Sequence, residues 1–99
     1  MRVRFIVLLI IFIMLSLVTP TSIADELGVR NLKMGMRGND VQQLQENLKK
    51  LGYNLAIDGI FGPETDAVVR QFQRQYQLAV DGIVGPQTLS VLLALVNTQ

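Results

Sequence analysis

LAIDGIFGPET, residues 55–65, returns as LAVDGIVGPQT at residues 78–88. Eight of the eleven positions are identical and the other three are conservative, so the chain carries an internal duplication of one turn and one helix start. Asp-Gly is a turn dipeptide: the carboxylate accepts from backbone N–H groups two or three residues on, and the glycine supplies a positive φ. Phe61 and Val84 follow as apolar plugs for a core. Gly-Pro then opens a helix, because proline at the first helical position gives up no donor the helix needs. Thr65 and Thr88 can return a hydroxyl bond to the loop. Two copies are too few for a solenoid and predict a pseudo-symmetric pair within one core.

Helical patterns lie on both sides of the repeats. Val41, Leu44, Leu48 and Leu51 recur at helical spacing, with Gln42, Gln43, Glu46, Asn47, Lys49 and Lys50 between them. Asn39 and Asp40 offer N-cap oxygens to this helix, the lysine pair suits its negative end, and Gly52 is placed as the terminating glycine. After Pro63, Val68, Phe72 and Tyr76 form one apolar face, with Arg70, Gln71, Gln73 and Arg74 expected on the solvated one. A third helix starts at Pro86 and carries Leu89, Leu92, Leu93 and Val96. The expected fold is all-α: a small three-helix bundle with two repeated Asp-Gly-x-x-Gly-Pro loops.

The N-terminus reads differently. Arg2 and Arg4 precede a run at residues 5–18 that is apolar except for Ser16; Pro20 breaks it, and Ser22 and Ala24 stand at the −3 and −1 positions before Asp25. These are the parts of a secretory signal peptide. Fourteen helical residues reach about 21 Å, short of a hydrocarbon core about 30 Å thick, which argues against an uncleaved anchor. The expected organisation is a signal peptide at 1–24, a short spacer at 25–31 and one domain at 32–96. The expected location is outside the cytoplasm: periplasm, cell wall or extracellular. No stable membrane insertion is expected after cleavage.

Removing Arg2 and Arg4 with that segment leaves 7 basic residues against 8 acidic ones, a net charge of −1 where the whole chain has +1. Neither a nucleic-acid footprint nor a polybasic membrane patch survives, which also opposes a three-helix DNA-binding domain. The chain has no cysteine, so packing alone must hold a small exported domain that would ordinarily use disulfides. With no histidine either, triad catalysis, Cys-His catalysis and the usual zinc sites are excluded. No catalytic residue, metal or cofactor is expected. Asp58 and Asp81 look like a carboxylate pair for glycoside hydrolysis. Their equivalence within the repeat makes them turn residues instead, and the loops lack the alternating oxygens of a calcium site. Tyr53 and Tyr76 could stack on sugar rings or pack half-buried against the core.

The ordered series Leu32-x-x-Gly35-x-x-Gly38-x-x-Val41-x-x-Leu44-Gln45-x-x-Leu48-x-x-Leu51-Gly52-Tyr53, Asp58-Gly59-x-Phe61-Gly62-x-x-Thr65, Phe72-Gln73 and Asp81-Gly82-x-Val84-Gly85-x-x-Thr88-x-x-x-Leu92 resembles the type 1 peptidoglycan-binding domain. That family is a three-helix module found in bacterial cell-wall hydrolases and in the pro-segment of matrix metalloproteinases. The resemblance covers about residues 32–95. One position departs from it: the family's glycine before Leu78 is Gln77 here, which implies a tighter or strained helix end. The resemblance implies an exported, non-catalytic module that binds peptidoglycan through a shallow groove between helices and the Asp-Gly loops. Its alternatives are an accessory protein that binds a partner cell-wall hydrolase, and a minimal hydrolase. The ligand-binding candidates that follow are Arg70 and Arg74, one helical turn apart and suited to stem-peptide carboxylates, together with Gln45, Gln73, Tyr53, Asp58 and Asp81.

Overall fold

The computed structural model describes residues 26–98. The expected signal peptide and its cleavage point before Asp25 lie outside them. Three helices account for the regular structure of the described residues: α1 (Asn39–Lys50), α2 (Pro63–Gln75) and α3 (Pro86–Asn97). The all-α architecture expected from the pattern is the one observed. None of these helices is long and apolar enough to cross a membrane.

The helix ends follow the local chemistry with one exception. At the end of α1, the Tyr53 N–H donates to the Leu48 carbonyl and the Gly52 N–H to that of Lys49, at 3.2 and 3.0 Å. That pair of bonds needs a left-handed residue at position 52, and Gly52 takes φ 101°. Pro63 and Pro86 open α2 and α3 directly after Gly62 and Gly85. The exception is the start of α1, where Asn39 and Asp40 are already helical, Gly38 stands at the cap, and no side chain caps the helix. Asp40 lies inside the helix rather than at the cap position, and its Oδ1 accepts from the Val41 N–H at 2.9 Å. Its carboxylate is almost fully buried and meets the Arg30 guanidinium at 2.7 and 3.2 Å.

The core is built from Leu32, Val41, Leu44 and Leu48, from Leu55, Phe61, Val68, Val69 and Phe72, and from Val84 and Leu92. Phe61 and Val84 occupy it as the repeat predicts. Fully burying a side chain of this size stabilises by about 1.5–3 kcal/mol, so the two plugs fix where each loop sits. In α3 only Leu92 among the apolar residues is fully buried; Leu89 and Val96 are half-buried and Leu93 is exposed.

A segment at residues 32–38, with a turn at Met34 and Gly35, ties the two repeats together. Leu32 and Val84 exchange both backbone bonds, at 3.1 and 2.8 Å. Further along, Gly38 donates to the Gly59 carbonyl at 3.0 Å, and Phe61 donates to that of Met36 at 2.8 Å. The residues just before this segment are also docked: the Leu27 N–H donates to Gln43 at 3.2 Å, and Leu27 packs against the core.

Candidate functional site

Each Asp-Gly loop closes around a buried glutamine. Gln45 comes from α1 and is 0% exposed. Its Oε1 accepts from the Asp58 and Gly59 N–H groups at 3.0 and 2.8 Å. Its Nε2 donates to Asp58 Oδ1, the Ile60 carbonyl and Thr65 Oγ1 at 2.9–3.0 Å. Gln73 of α2, also 0% exposed, repeats all of these contacts on Asp81, Gly82, Ile83 and Thr88 at 3.0–3.2 Å. The threonine hydroxyl therefore serves the glutamine. Gly59 and Gly82 adopt φ 74° and 72°, as the Asp-Gly reading requires.

This geometry moves Gln73 from the solvated face of α2 into the interior. Both amides spend their donors and acceptors within the chain, so they hold the loops in place. What the loops present outward is the aspartates. Asp58 Oδ1 also accepts from the Ile60 N–H at 3.0 Å, and Asp81 Oδ1 from the Ile83 N–H at 2.9 Å. Those backbone donors, then the glutamine amides, hold both carboxyls below the ordinary value of 3.8. Both aspartates are exposed, and neither Oδ2 has a partner among the described residues. No group of three or more potential metal-binding side chains forms among the described residues.

The remaining candidates fall into two places. Arg70 is bound to the second loop, with Nε on Asp66 at 3.1 Å and Nη2 on the Asp81 carbonyl at 3.3 Å. Arg74, one turn on, is exposed and forms no ion pair among the described residues. The arginine pair is thus one loop clamp and one available cation. Tyr53 is half-buried, edge-on to Phe72 at 6.1 Å, and its hydroxyl donates to Gln75. Tyr76 lies against Phe72 at 4.8 Å. Burial raises the Tyr53 pKa above 10.0, with Tyr76 adding to it. The two tyrosines pack rather than project.

The Arg30–Asp40 pair was not legible in the sequence. The guanidinium beside Asp40 holds that carboxyl below 3.8 although burial opposes it. The ten-residue separation crosses an irregular segment, so no periodicity announces the pair.

The match to the peptidoglycan binding domain family runs over residues 37–92, through both loops and most of all three helices. Among related proteins, the spore cortex-lytic enzyme of Halalkalibacterium halodurans is 38% identical over 70 residues, which is 70% of this chain and 21% of that enzyme. Two solved structures share the fold. The SleB N-terminal domain superposes with a TM-score of 0.68 at 35% identity, over 72% of this chain and 99% of that one. A peptidoglycan-binding protein from Clostridioides difficile, in complex with glutamine hydroxamate, gives 0.67 at 40% identity, over 68% and 42%. The chain spans about a fifth of the cortex-lytic enzyme and under half of the Clostridioides protein, and nearly all of the SleB domain. With a family match over more than half its length and a relative of domain size covered end to end, the chain belongs to the peptidoglycan binding domain family.

Proposed function

We propose that this chain acts outside the cytoplasm as a non-catalytic module that binds peptidoglycan. One observation carries the reading: the match to the peptidoglycan binding domain family runs over residues 37–92 and takes in both glutamine-locked loops. The non-catalytic reading is supported by the use of Asp58 and Asp81. Both are tied to their own loops, with lowered pKa values that suit a fixed carboxylate and oppose a general acid. Export is supported by the N-terminal pattern of Arg2, Arg4 and the small residues before Asp25.

The contact surface in this reading is the two Asp-Gly loops, with the exposed Asp58 and Asp81 carboxylates and with Arg74 as the cation for stem-peptide carboxylates. Arg70, Gln45 and Gln73 position the loops, and Tyr53 supports the α2 end. Exposed contacts of this kind give modest affinity, on the order of micromolar to millimolar. Exported protein should co-sediment with purified sacculi without any partner, and added salt should weaken the Arg74 contribution. Arg74→Ala should lower the bound fraction at unchanged thermal stability. Wild-type protein that stays in the supernatant across wall chemotypes would transfer the role to binding a partner hydrolase.

A further inference from the structure

The two loops are equivalent in their bonds but differ in what covers them. Because Gln45 and Gln73 hold their loops identically, a shift of 28 residues relates α1 to α2, and it pairs Gln42 with Arg70 and Gly38 with Asp66. At the second loop that space is full. A Cβ added at Gly82 would lie 2.6 Å from Asp66 Oδ1 and 2.8 Å from Arg70 Nη2. At the first loop it is open. The corresponding atom on Gly59 would meet the Gly38 carbonyl at 3.4 Å and the Gln42 Cβ at 3.9 Å. Gln42 turns instead to Glu46, at 3.1 Å. The reason is one helical turn: α2 begins early enough to supply Asp66, whereas α1 begins at Asn39 and has only Gly38 there.

The result is a groove of about 400 Å³ over the first loop, lined among others by Arg37, Gly38, Gln42, Asp58 and Ile60. The second loop shows what this space accepts, because there an N–H of Arg70 donates to the Asp81 carbonyl. The matching Asp58 carbonyl has no donor among the described residues. A ligand seated here is therefore favoured if it brings a hydrogen-bond donor. Arg37, which lines the same groove, offers donors to an acceptor on the same ligand. Ile60 is 44% exposed at its edge and offers an aliphatic surface for a methyl group. Donor, acceptor and methyl together describe an acetamido group: its N–H suits the Asp58 carbonyl, its carbonyl suits Arg37, and its methyl suits Ile60.

We propose that the groove over the first Asp-Gly loop binds the acetamido group of an N-acetylated amino sugar in a glycan strand. This rests on the wall-binding reading and narrows it to the sugar backbone at this loop. The test is a titration of the folded protein, followed by backbone amide NMR, with the β-1,4-linked trimer of N-acetylglucosamine. Cellotriose, which carries a hydroxyl at the same ring position, is the comparison. The acetylated trimer should shift the amides of Gly38, Gly59 and Ile60 saturably, and cellotriose should bind at least about ten-fold more weakly because its hydroxyl offers neither the acetyl carbonyl to Arg37 nor the methyl to Ile60. Gln42→Arg should fill the groove as Arg70 fills its counterpart, and Ile60→Ser should remove the methyl surface. Each should weaken the acetylated trimer while circular dichroism stays unchanged. Equal binding of both trimers, or shifts confined to the second loop, would overturn the proposal. Sacculus sedimentation run alongside separates the two levels. Sedimentation without trimer-induced shifts at the first loop ends the acetamido site and leaves wall binding standing, whereas loss of both ends both.

Discussion

Gln77 is the non-glycine residue with positive φ among the described residues, at 57°. It terminates α2 as Gly52 terminates α1: the Leu78 N–H donates to the Gln73 carbonyl and the Gln77 N–H to that of Arg74, at 2.8 and 3.2 Å. An L-residue in the left-handed region costs about 1–2 kcal/mol, and glycine recovers part of that after its larger entropy loss on folding. Gln77→Gly should therefore stabilise by about 0.5–1 kcal/mol, read as a higher urea midpoint; an unchanged midpoint would mean the strain is relieved elsewhere. The buried amides are the opposite case. Gln45→Leu strands the Asp58 and Gly59 donors, the Ile60 carbonyl and the Thr65 hydroxyl together. Each orphaned buried group costs about 1–3 kcal/mol, and water reaching the loop recovers part, so a loss of about 2–4 kcal/mol is expected. Gln42→Leu, three residues away on the exposed face, should stay within about 0.5 kcal/mol. A similar small effect at both sites would show that the lock carries little of the stability.

At the scale of elements, α2 and α3 start alike but are charged differently. α2 has Glu64 and Asp66 in its first turn, and Glu64 Oε1 accepts from the Ala56 N–H of its own loop at 2.7 Å. In α3 the repeat places Gln87 at that position and leaves the first turn without an acid. Gln87→Glu should restore both the dipole interaction and the bond to Ala79. The expected gain is about 0.3–1 kcal/mol at low salt, shrinking as salt is added. Thermal unfolding at two ionic strengths checks this, and a salt-independent change would point to a cause other than charge. The segment before Leu32 also behaves as part of an element, because Arg30 reaches Asp40 and Leu27 reaches Gln43.

For the whole molecule, the acid response follows from three aspartates. Asp40, Asp58 and Asp81 all have folded pKa values lowered from 3.8. A lowered folded pKa means that the unfolded chain binds protons first, so the stabilisation is fully present above about pH 4. It is lost as pH falls through 3.8 towards the lowered values. With no histidine in the chain, no side chain of ordinary pKa titrates between pH 5 and 8. The thermal midpoint should be flat across that range and fall steeply below about pH 4. A midpoint that rises on acidification, or one that drifts between pH 6 and 7, would contradict this assignment.

The sequence by itself determined the helices, the repeat and the two plugs. Each is set by neighbours a few residues apart: Gly-Pro starts, Asp-Gly turns, and apolar residues at helical spacing. The strain at Gln77 was signalled by the family resemblance, which puts a glycine before Leu78. The tertiary structure alone decided the roles of the polar residues. Gln45 precedes its aspartate by 13 residues and Gln73 by 8, so their equivalence is hidden until the loops fold back onto the helices. On a helical wheel both look like surface amides; the cost of burying them is met by bonds to a loop that sequence spacing does not place. Arg70 became a clamp, and Asp40 an ion-pair partner rather than a cap, for the same reason. A polar side chain takes its role from whichever partner the packed chain brings within about 3 Å, and that distance is set only when the core closes.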